Sequence, residues 1–125
     1  SNASAFIFDS FENLNWAGFY LLNDDVLTVG PFQGHVACSI IPLGSGVCGQ
    51  AAKAKKTMIV DDVLSYQNHI ACDANSRSEI VVPIIINNKV YGVLDVDSPI
   101  NSRFDQEITI FLESFVDMLT KLIDF

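Results

Sequence analysis

Two β-branched segments joined by a short polar turn constrain the fold of this chain more than any other feature. The segments cover residues 79–86 and 90–96, and Asn87, Asn88 and Lys89 separate them. Runs rich in valine and isoleucine on either side of an asparagine turn are typical of two strands paired in a hairpin. The sequence therefore predicts an antiparallel sheet built around this hairpin.

Shorter segments before and after the hairpin have their own strand or helix patterns. Further strands are predicted at residues 16–22, 26–29, 36–41 and 57–60. Helices are predicted at residues 4–13 and 44–55, and apolar residues at helical spacing from Ile108 to Ile123 predict a third. Ser102 and Asp105 precede that helix with the spacing of a capping box. Residues 66–78 show no periodicity and are expected to form a long loop. A central antiparallel sheet flanked by helices is an α+β fold.

Length and charge limit the classes of protein to be considered. The 125 residues suffice for one domain, which we assign to residues 4–125, and residues 1–3 have the composition of an expression-tag remnant. Half of the residues are apolar, but no apolar run is long enough to span a bilayer. The net charge of −8 argues against nucleic acid and membranes as partners, because binding them requires basic patches.

The chain has three cysteines, Cys38, Cys48 and Cys72. They limit the cellular compartments and the kinds of chemistry to be considered. An odd number of cysteines in a chain with a large core argues against a secreted disulfide scaffold. No two of them have C-x-x-C spacing, so no metal site is expected. The remaining interpretation is a cytoplasmic protein whose thiols are either buried and inert or chemically used.

The surroundings of each cysteine leave both interpretations open. Cys72 lies in the long loop beside Asp73, whose charge would raise the pKa of the thiol, so any activation must come from elsewhere. Cys48 lies at a glycine-rich helix start, where the helix dipole would favour the thiolate. Cys38 lies on a predicted strand, where a buried structural cysteine is the ordinary expectation.

Three carboxylates are placed unusually for a chain of this composition. Asp95 and Asp97 interrupt an apolar strand two residues apart, so both side chains face the same side of the sheet. Glu79 begins the partner strand, and the register of the hairpin decides whether it joins them. Like charges facing one another on a sheet are unfavourable unless a cationic ligand group or a shared proton relieves the repulsion.

Two hairpin registers are possible. A two-residue turn would pair Ile80 with Asp95 and send Glu79 to the opposite face. A three-residue loop would pair Val81 with Asp95 and Glu79 with Asp97, which places all three acids on one face. We favour the three-residue loop.

Glycine and aromatic patterns complete the set of candidate features. Gly44, Gly46 and Gly49 match G-x-G-x-x-G, but the short chain shows no repeating βαβ pattern, so turn and helix-entry roles are favoured and no cofactor is expected. Trp16 and Tyr20 are four residues apart on the first strand and share a face. They are either an ordinary core pair or the apolar wall of a pocket.

Five motifs together resemble the GAF-domain free methionine-R-sulfoxide reductases. They are NWAGFYL, GPFQG, ACSIIPLGSGVCG, HIACDANSRSEIVVPI and GVLDVDSP, and the resemblance extends from about Asn15 to the last helix. It implies a single GAF-like domain whose substrate is free L-methionine-R-sulfoxide. Members of this family have a longer N-terminal helical region, so the N-terminal helix of this chain is expected to be truncated. A homodimer is possible, and the alternative is a non-catalytic GAF module that binds a small molecule or senses redox state.

The resemblance also implies a role for each candidate residue. Cys72 matches the attacking thiol, which becomes a sulfenic acid as methionine is released. Cys38 matches the thiol that resolves the sulfenic acid as a disulfide, Cys48 is a second possible resolving thiol, and thioredoxin is the expected reductant. The binding acids of the family fall on Glu79, Asp95 and Asp97, and its aromatic wall falls on Trp16 and Tyr20.

Overall fold

A six-stranded antiparallel sheet with helices on both faces forms the centre of the molecule, in a computed structural model that describes residues 2–35, 38–67 and 74–122. The strands are β1 (Trp16–Asn23), β2 (Val26–Gly34), β3 (Ile40–Pro42), β4 (Met58–Val60), β5 (Ser78–Ile86) and β6 (Lys89–Ser98). Their order across the sheet is β3-β2-β1-β6-β5-β4. The helices are α1 (Asn2–Ser10), α2 (Gly46–Ala54) and α3 (Gln106–Leu122), with a 3₁₀ turn at Val63–Ser65. The predicted α+β fold with a central antiparallel sheet is confirmed.

The sheet separates two apolar cores. On one face α1 and α3 cover a cluster made by alternate residues of the central strands, namely Ala17, Phe19, Ile80, Val82, Leu94 and Val96. On the other face α2 covers the opposite set, namely Trp16, Tyr20, Val81 and Val93. This alternation follows from the two-residue period of a strand, and it assigns the acids at positions 79, 95 and 97 to the α2 face.

Helix α3 begins at Gln106, and its N-cap differs from the predicted one. The Asp105 carboxylate accepts a hydrogen bond from the backbone N–H of Ile108 at 2.9 Å, as an N-cap side chain does. Ser102 has a left-handed backbone with φ of 54° and lies before the cap, so the capping box predicted from Ser102 to Asp105 is wrong. Three residues of α3 at i, i+4 and i+8 are buried against the sheet: Ile108, Leu112 and Val116.

The β5–β6 hairpin has the predicted residue pairing, but its turn differs from the predicted one. Ile86 pairs with Lys89, so the turn contains only Asn87 and Asn88, both with positive φ. An irregularity between Ile84 and Ile85 then shifts the register by one residue. The pairing of the acids favoured from the sequence is confirmed, whereas the three-residue loop from which we derived it is wrong.

The first three strands differ from the prediction in length. Strand β2 continues through Pro31 to Gly34 because it stays paired with β1 as far as Gly34, whereas β3 pairs only with residues 26–28. Among the described residues, no strand pairs with the outer side of β2 at Pro31. A proline is tolerated at such a sheet edge. Strand β3 begins at Ile40, so Cys38 precedes the strand on which it was predicted to lie. Val36 and Ala37 are outside the described residues.

Within the described part of the chain, none of the helices combines the length and the apolar character required to cross a bilayer.

Candidate active site

Three acidic residues converge where the ends of β5, β6 and β1 lie side by side. Glu79 on β5 pairs with Asp97 on β6, and Asp97 pairs in turn with Trp16 on β1. Asp95 pairs with Gly18 of β1, one step further along the same ladder. Glu79 and Asp95 are only 7% and 5% exposed, so two carboxyl groups are withdrawn from water within one small region. Such burial is costly and is typical of binding or catalytic sites.

The end of the sheet that carries these acids is held by serine hydroxyls. Ser78 and Ser98 pair across the hairpin and are both buried. The Ser78 hydroxyl donates to the Ile100 carbonyl at 2.6 Å, and the Ser98 hydroxyl donates to the Asn13 carbonyl at 2.6 Å. The loops that enter β1 and leave β6 are thereby tied to the hairpin, and this fixes the positions of the neighbouring carboxylates.

Helix α2 brings Cys48 to the acids. The Cys48 thiol donates a long hydrogen bond to Glu79 Oε2, with the two atoms 3.9 Å apart. The helix lies close to β3 because Gly49 has no side chain, since a Cβ there would lie 2.6 Å from the Pro42 carbonyl oxygen. Gly44 and Gly46 have positive φ at the entry to the helix, which agrees with the turn and helix-entry roles predicted for them.

Burial and mutual repulsion set the protonation of this cluster. Removal from water raises the pKa of Glu79, and the neighbouring charge of Asp95 adds to the effect. Removal from water also raises the pKa of Asp95, and the charge of Asp97 contributes. One oxygen of Asp95, Oδ1, is buried and has no hydrogen-bond partner among the described residues. The site therefore favours protonated carboxyl groups or a positively charged occupant.

The thiol of Cys48 experiences the same environment. Its pKa is raised well above the ordinary range, first by complete burial and then by the charges of Asp95 and Glu79. The expectation that the dipole of α2 would favour the thiolate is wrong, because desolvation and two adjacent acids outweigh the helix terminus. Cys48 is a neutral, buried thiol and has no disulfide partner.

An aromatic wall borders the acids on β1 and β2. The rings of Trp16 and Tyr20 stack with their centroids 5.7 Å apart, and the rings of Trp16 and Phe32 stack at 5.4 Å. The indole lies over Gly18, where a Cβ would approach Trp16 Cη2 to 2.6 Å. Phe32 was not predicted to be part of this wall, although its place in the GPFQG motif was a usable signal.

The two predicted aromatic residues also hold the segment that leads to Cys38. The indole N–H of Trp16 donates to the His35 carbonyl at 3.1 Å, and the Tyr20 hydroxyl donates to the Cys38 carbonyl at 3.0 Å. Burial raises the pKa of the Tyr20 hydroxyl, with the charge of Asp95 as the next cause, so this group remains a hydrogen-bond donor. The wall and the Cys38 segment therefore form one hydrogen-bonded unit.

Tyr66 is a second residue that the sequence analysis did not single out. Its hydroxyl donates a hydrogen bond to the Gln50 side chain of α2. Its ring packs against the core on the same side of the sheet as the acids. Burial raises its pKa, and the charge of Glu79 is the next cause. Tyr66 had been assigned only to the long loop, whose polar sequence gave no sign of this contact.

The cysteines differ in their states. Cys38 is disulfide-bonded, whereas Cys48 carries a free thiol. Cys72, together with His69 and Asp73, lies outside the described residues. Among the described residues the structure thus brings Cys48, Glu79 and Asp95 together beside the aromatic wall.

Comparison with known proteins agrees with this architecture. A family model described as a GAF domain matches residues 3–124. The chain is 46% identical over 123 residues to the free methionine-R-sulfoxide reductase of Escherichia coli, covering 98% of this chain and 74% of that protein.

Two solved structures extend the similarity to the fold. A structure described as fRMsr of Staphylococcus aureus in its reduced form has a TM-score of 0.93 and 52% identity, and the match covers 97% of this chain and 79% of that chain. The free methionine-R-sulfoxide reductase of Neisseria meningitidis, solved in complex with its substrate, has a TM-score of 0.92 and 43% identity, with 96% and 72% of the two chains covered. By sequence and by fold, the chain belongs to the GAF-domain family of free methionine-R-sulfoxide reductases.

Proposed function

We propose that this protein reduces free L-methionine-R-sulfoxide to L-methionine. The observation that carries the proposal is the buried group of Glu79, Asp95 and Asp97 beside the indole of Trp16, in a chain that belongs to the reductase family. A small zwitterion with a sulfoxide offers one partner for each part of this site. It has an ammonium for the carboxylates, a polarised oxygen for a proton donor, and a methyl group for the aromatic wall.

The carboxyl groups divide between charge pairing and proton donation. Ionised members of the cluster pair with the substrate ammonium, which offsets the burial and the repulsion that raise the pKa of Glu79 and of Asp95. A member that keeps its proton donates a hydrogen bond to the sulfoxide oxygen and stabilises that oxygen as the sulfur–oxygen bond breaks. The ammonium contact gives selectivity for the free amino acid, because a methionine sulfoxide within a peptide has no ammonium at this position.

The aromatic wall contributes shape and a dry environment. The indole of Trp16 stacks with Tyr20 and Phe32 and is bonded through its N–H to the His35 carbonyl, so its orientation is fixed. A fixed aromatic face beside the acids can contact the S-methyl group and direct the sulfur toward the attacking thiol. Exclusion of water also strengthens the carboxylate contacts.

Cys72 supplies the attacking thiol in this proposal. The thiol takes the sulfoxide oxygen, so that the substrate sulfur is reduced to the thioether of methionine and Cys72 becomes a sulfenic acid. The Cys38 thiol then displaces the sulfenic hydroxyl, forming a disulfide and releasing water. A dithiol reductant of the thioredoxin type restores both thiols and becomes a disulfide itself.

The states of the other two cysteines favour Cys38 as the resolving thiol. Cys38 is disulfide-bonded while Cys48 is free. The raised pKa of Cys48 makes its thiol a weak nucleophile, because the thiolate is the reactive form. Cys48 is therefore assigned to the carboxylate cluster, where its S–H donates to Glu79.

We also propose that the protein works as a cytoplasmic homodimer. A free thiol and recycling by thioredoxin both suit a reducing compartment. Several apolar side chains on α1 and α3 are at least 40% exposed, and a second copy would cover them: Phe6, Ile110, Phe111, Met118 and Leu122. Sedimentation equilibrium of the purified protein measures this association directly.

The decisive experiment supplies each diastereomer of free methionine sulfoxide to the protein with dithiothreitol as reductant. The proposal expects saturable release of methionine from the R form, little from the S form, and little from the N-acetylated R form, which has no ammonium. A GAF module that only binds its ligand would release no methionine. A redox sensor would be oxidised by peroxide without turning over the sulfoxide. Either result contradicts the proposed function.

A further inference from the structure

The buried cluster beside α2 contains the donor atoms of a metal site as well as those of a substrate pocket. The Sγ of Cys48 and one carboxylate oxygen each from Glu79 and Asp95 all lie within 4.8 Å of one another. We propose that Cys48, Glu79 and Asp95 bind one Zn²⁺ ion, and that this ion occupies the pocket to the exclusion of substrate. The ligands are at positions 48, 79 and 95, too far apart in sequence for any spacing rule to detect.

The geometry of the cluster is close to that of a zinc site. A tetrahedral zinc with bonds of about 2.3 Å to sulfur and about 2.1 Å to oxygen holds the two ligand atoms about 3.6 Å apart. Cys48 Sγ and Glu79 Oε2 are 3.9 Å apart. A movement of a few tenths of an ångström therefore converts this hydrogen bond into two bonds to one metal ion, with loss of the thiol proton.

Asp95 provides an independent sign that a cation fits here. Asp95 is only 5% exposed, and its Oδ1 has no hydrogen-bond partner among the described residues. The described residues also contain no lysine or arginine that forms an ion pair with Asp95 or Glu79. A buried carboxylate oxygen without a donor is costly, and a metal ion satisfies it directly.

The donor set selects among divalent ions. One thiolate and two carboxylates suit Zn²⁺ and its spectroscopic substitute Co²⁺, whereas Mg²⁺ and Ca²⁺ require six or more oxygen ligands and avoid sulfur. Three protein ligands leave the fourth tetrahedral position open for a water molecule. The ion therefore resembles a removable inhibitor more than a structural zinc with four protein ligands.

The expected consequence is competition with the substrate. The ion would lie among the carboxylates that pair with the ammonium group, so Zn²⁺ raises KM and leaves kcat nearly unchanged. This consequence rests on the proposed function, whereas metal binding does not. Metal binding and the proposed function can therefore be contradicted separately.

The direct test isolates the Cys48 thiol. In the full chain carrying Cys38→Ser and Cys72→Ser, Cys48 is the only cysteine. Titration with Co²⁺ is expected to give a thiolate-to-cobalt charge-transfer band that saturates at one ion per chain, with a Kd tighter than about 10 µM. Zn²⁺ should abolish the band, and millimolar Mg²⁺ should not. Absence of the band in a protein that is folded by circular dichroism overturns the proposal.

A second variant tests the carboxylate. Asp95→Asn keeps the shape of the side chain and is expected to weaken Co²⁺ binding at least about tenfold. The matched control is Glu107→Gln, an exposed acid in the first turn of α3, which should bind Co²⁺ as the parent does. Equal affinity in the Asp95→Asn and Glu107→Gln proteins would remove Asp95 from the site and overturn the proposal.

X-ray absorption of the zinc-loaded wild-type protein requires no variant. The expected first shell has one sulfur and two or three oxygens, and two or more sulfurs would assign the zinc to other thiols and refute the site. If Zn²⁺ binds as described but no diastereomer of methionine sulfoxide is reduced, the proposed function fails and this inference stands. If the reductase is active, but Co²⁺ gives no band and Zn²⁺ does not raise KM, only the metal site fails.

Discussion

Glu79 on β5 lies directly opposite Asp97 on β6, so two carboxylates face each other across one rung of the sheet. Two like charges in this position destabilise a sheet, whereas a neutral pair would not. A fold tolerates such a pair where binding of a ligand offsets this loss of stability. In the proposed function, the substrate ammonium binds beside this opposed pair.

Neutral replacements of the opposed acids test the binding role. Glu79→Gln and Asp97→Asn are each expected to lower kcat/KM at least about 10²-fold, because a charged contact to the substrate is lost. Activity with free methionine-R-sulfoxide should be measured beside that of Glu107→Gln, which removes an exposed charge from α3. Near-normal kcat/KM in both site variants would contradict the role given to the acids.

The pH dependence of stability tests the burial of Asp95. Its pKa is raised in the folded protein, so between the ordinary aspartate pKa of about 4 and that raised value the folded state holds more protons than the unfolded state. Stability therefore falls as pH rises through this window. Asp95→Asn does not titrate, and we expect it to match the parent near pH 4 and to exceed it by about 1–3 kcal/mol at pH 8.

The measurement for this prediction is thermal unfolding from pH 4 to pH 8 in the presence of a chelator, which removes any bound metal. A gain of about 1 kcal/mol raises Tm by about 4 °C in a chain of this length. The activity of the same variant should fall, since the carboxyl group whose burial lowers stability is one that we propose binds substrate. Parallel pH profiles for variant and parent would show that Asp95 is not strained by its burial.

The order of the thiol chemistry can be read from the first turnover. Cys72→Ser should release no methionine, and Cys38→Ser should release about one equivalent per chain and then stall, because its sulfenic acid has no resolving partner. Cys48→Ser should pass the first turnover without stalling, since its raised pKa makes Cys48 a poor resolving thiol. Rapid-quench counting of methionine distinguishes these cases. A stall in Cys48→Ser that is absent in Cys38→Ser would reverse the assignment.

Close packing at Gly49 gives a prediction about the fold itself. Gly49→Ala places a Cβ 2.6 Å from the Pro42 carbonyl oxygen and 2.9 Å from Gly44 N, both rigid backbone atoms. We expect a loss of about 2 kcal/mol or more, because α2 must move away from β3. The control is Ala54→Ser at an exposed position of the same helix. Chemical denaturation measures both, and equal stability would mean that α2 does not depend on this contact.

The hairpin shows which features of the fold local sequence patterns can predict. They identified both strands and the pairing of Glu79 with Asp97, because β-branched runs and an asparagine turn are local signals. They did not reveal the irregularity between Ile84 and Ile85. The register skips Tyr91 there, since Ile84 pairs with Gly92 and Ile85 with Val90. Gly92 also approaches β1 so closely that a Cβ would lie 2.2 Å from the Tyr20 carbonyl oxygen, a contact that joins residues distant in sequence.

The environment of Cys48 was mispredicted for a similar reason. Its position at a helix start is local information, and it favoured a thiolate. Its contact with Glu79 joins residues 31 apart in sequence, and the burial of both follows from how α2 packs on the sheet. No pattern within a few residues of position 48 contains these facts. The family resemblance supplied the candidate acids but not the contact between them and this thiol.

The chain contains a single tryptophan, and its indole N–H is bonded to the backbone of the segment that ends at Cys38. Tyr20, stacked on the same indole, holds the Cys38 carbonyl. Any rearrangement of that backbone when the disulfide opens would alter the electric field and the quenching around one fluorophore. Emission intensity thus offers an intrinsic optical gauge of whether this disulfide is open or closed, readable in real time with no coupling enzyme and no attached dye.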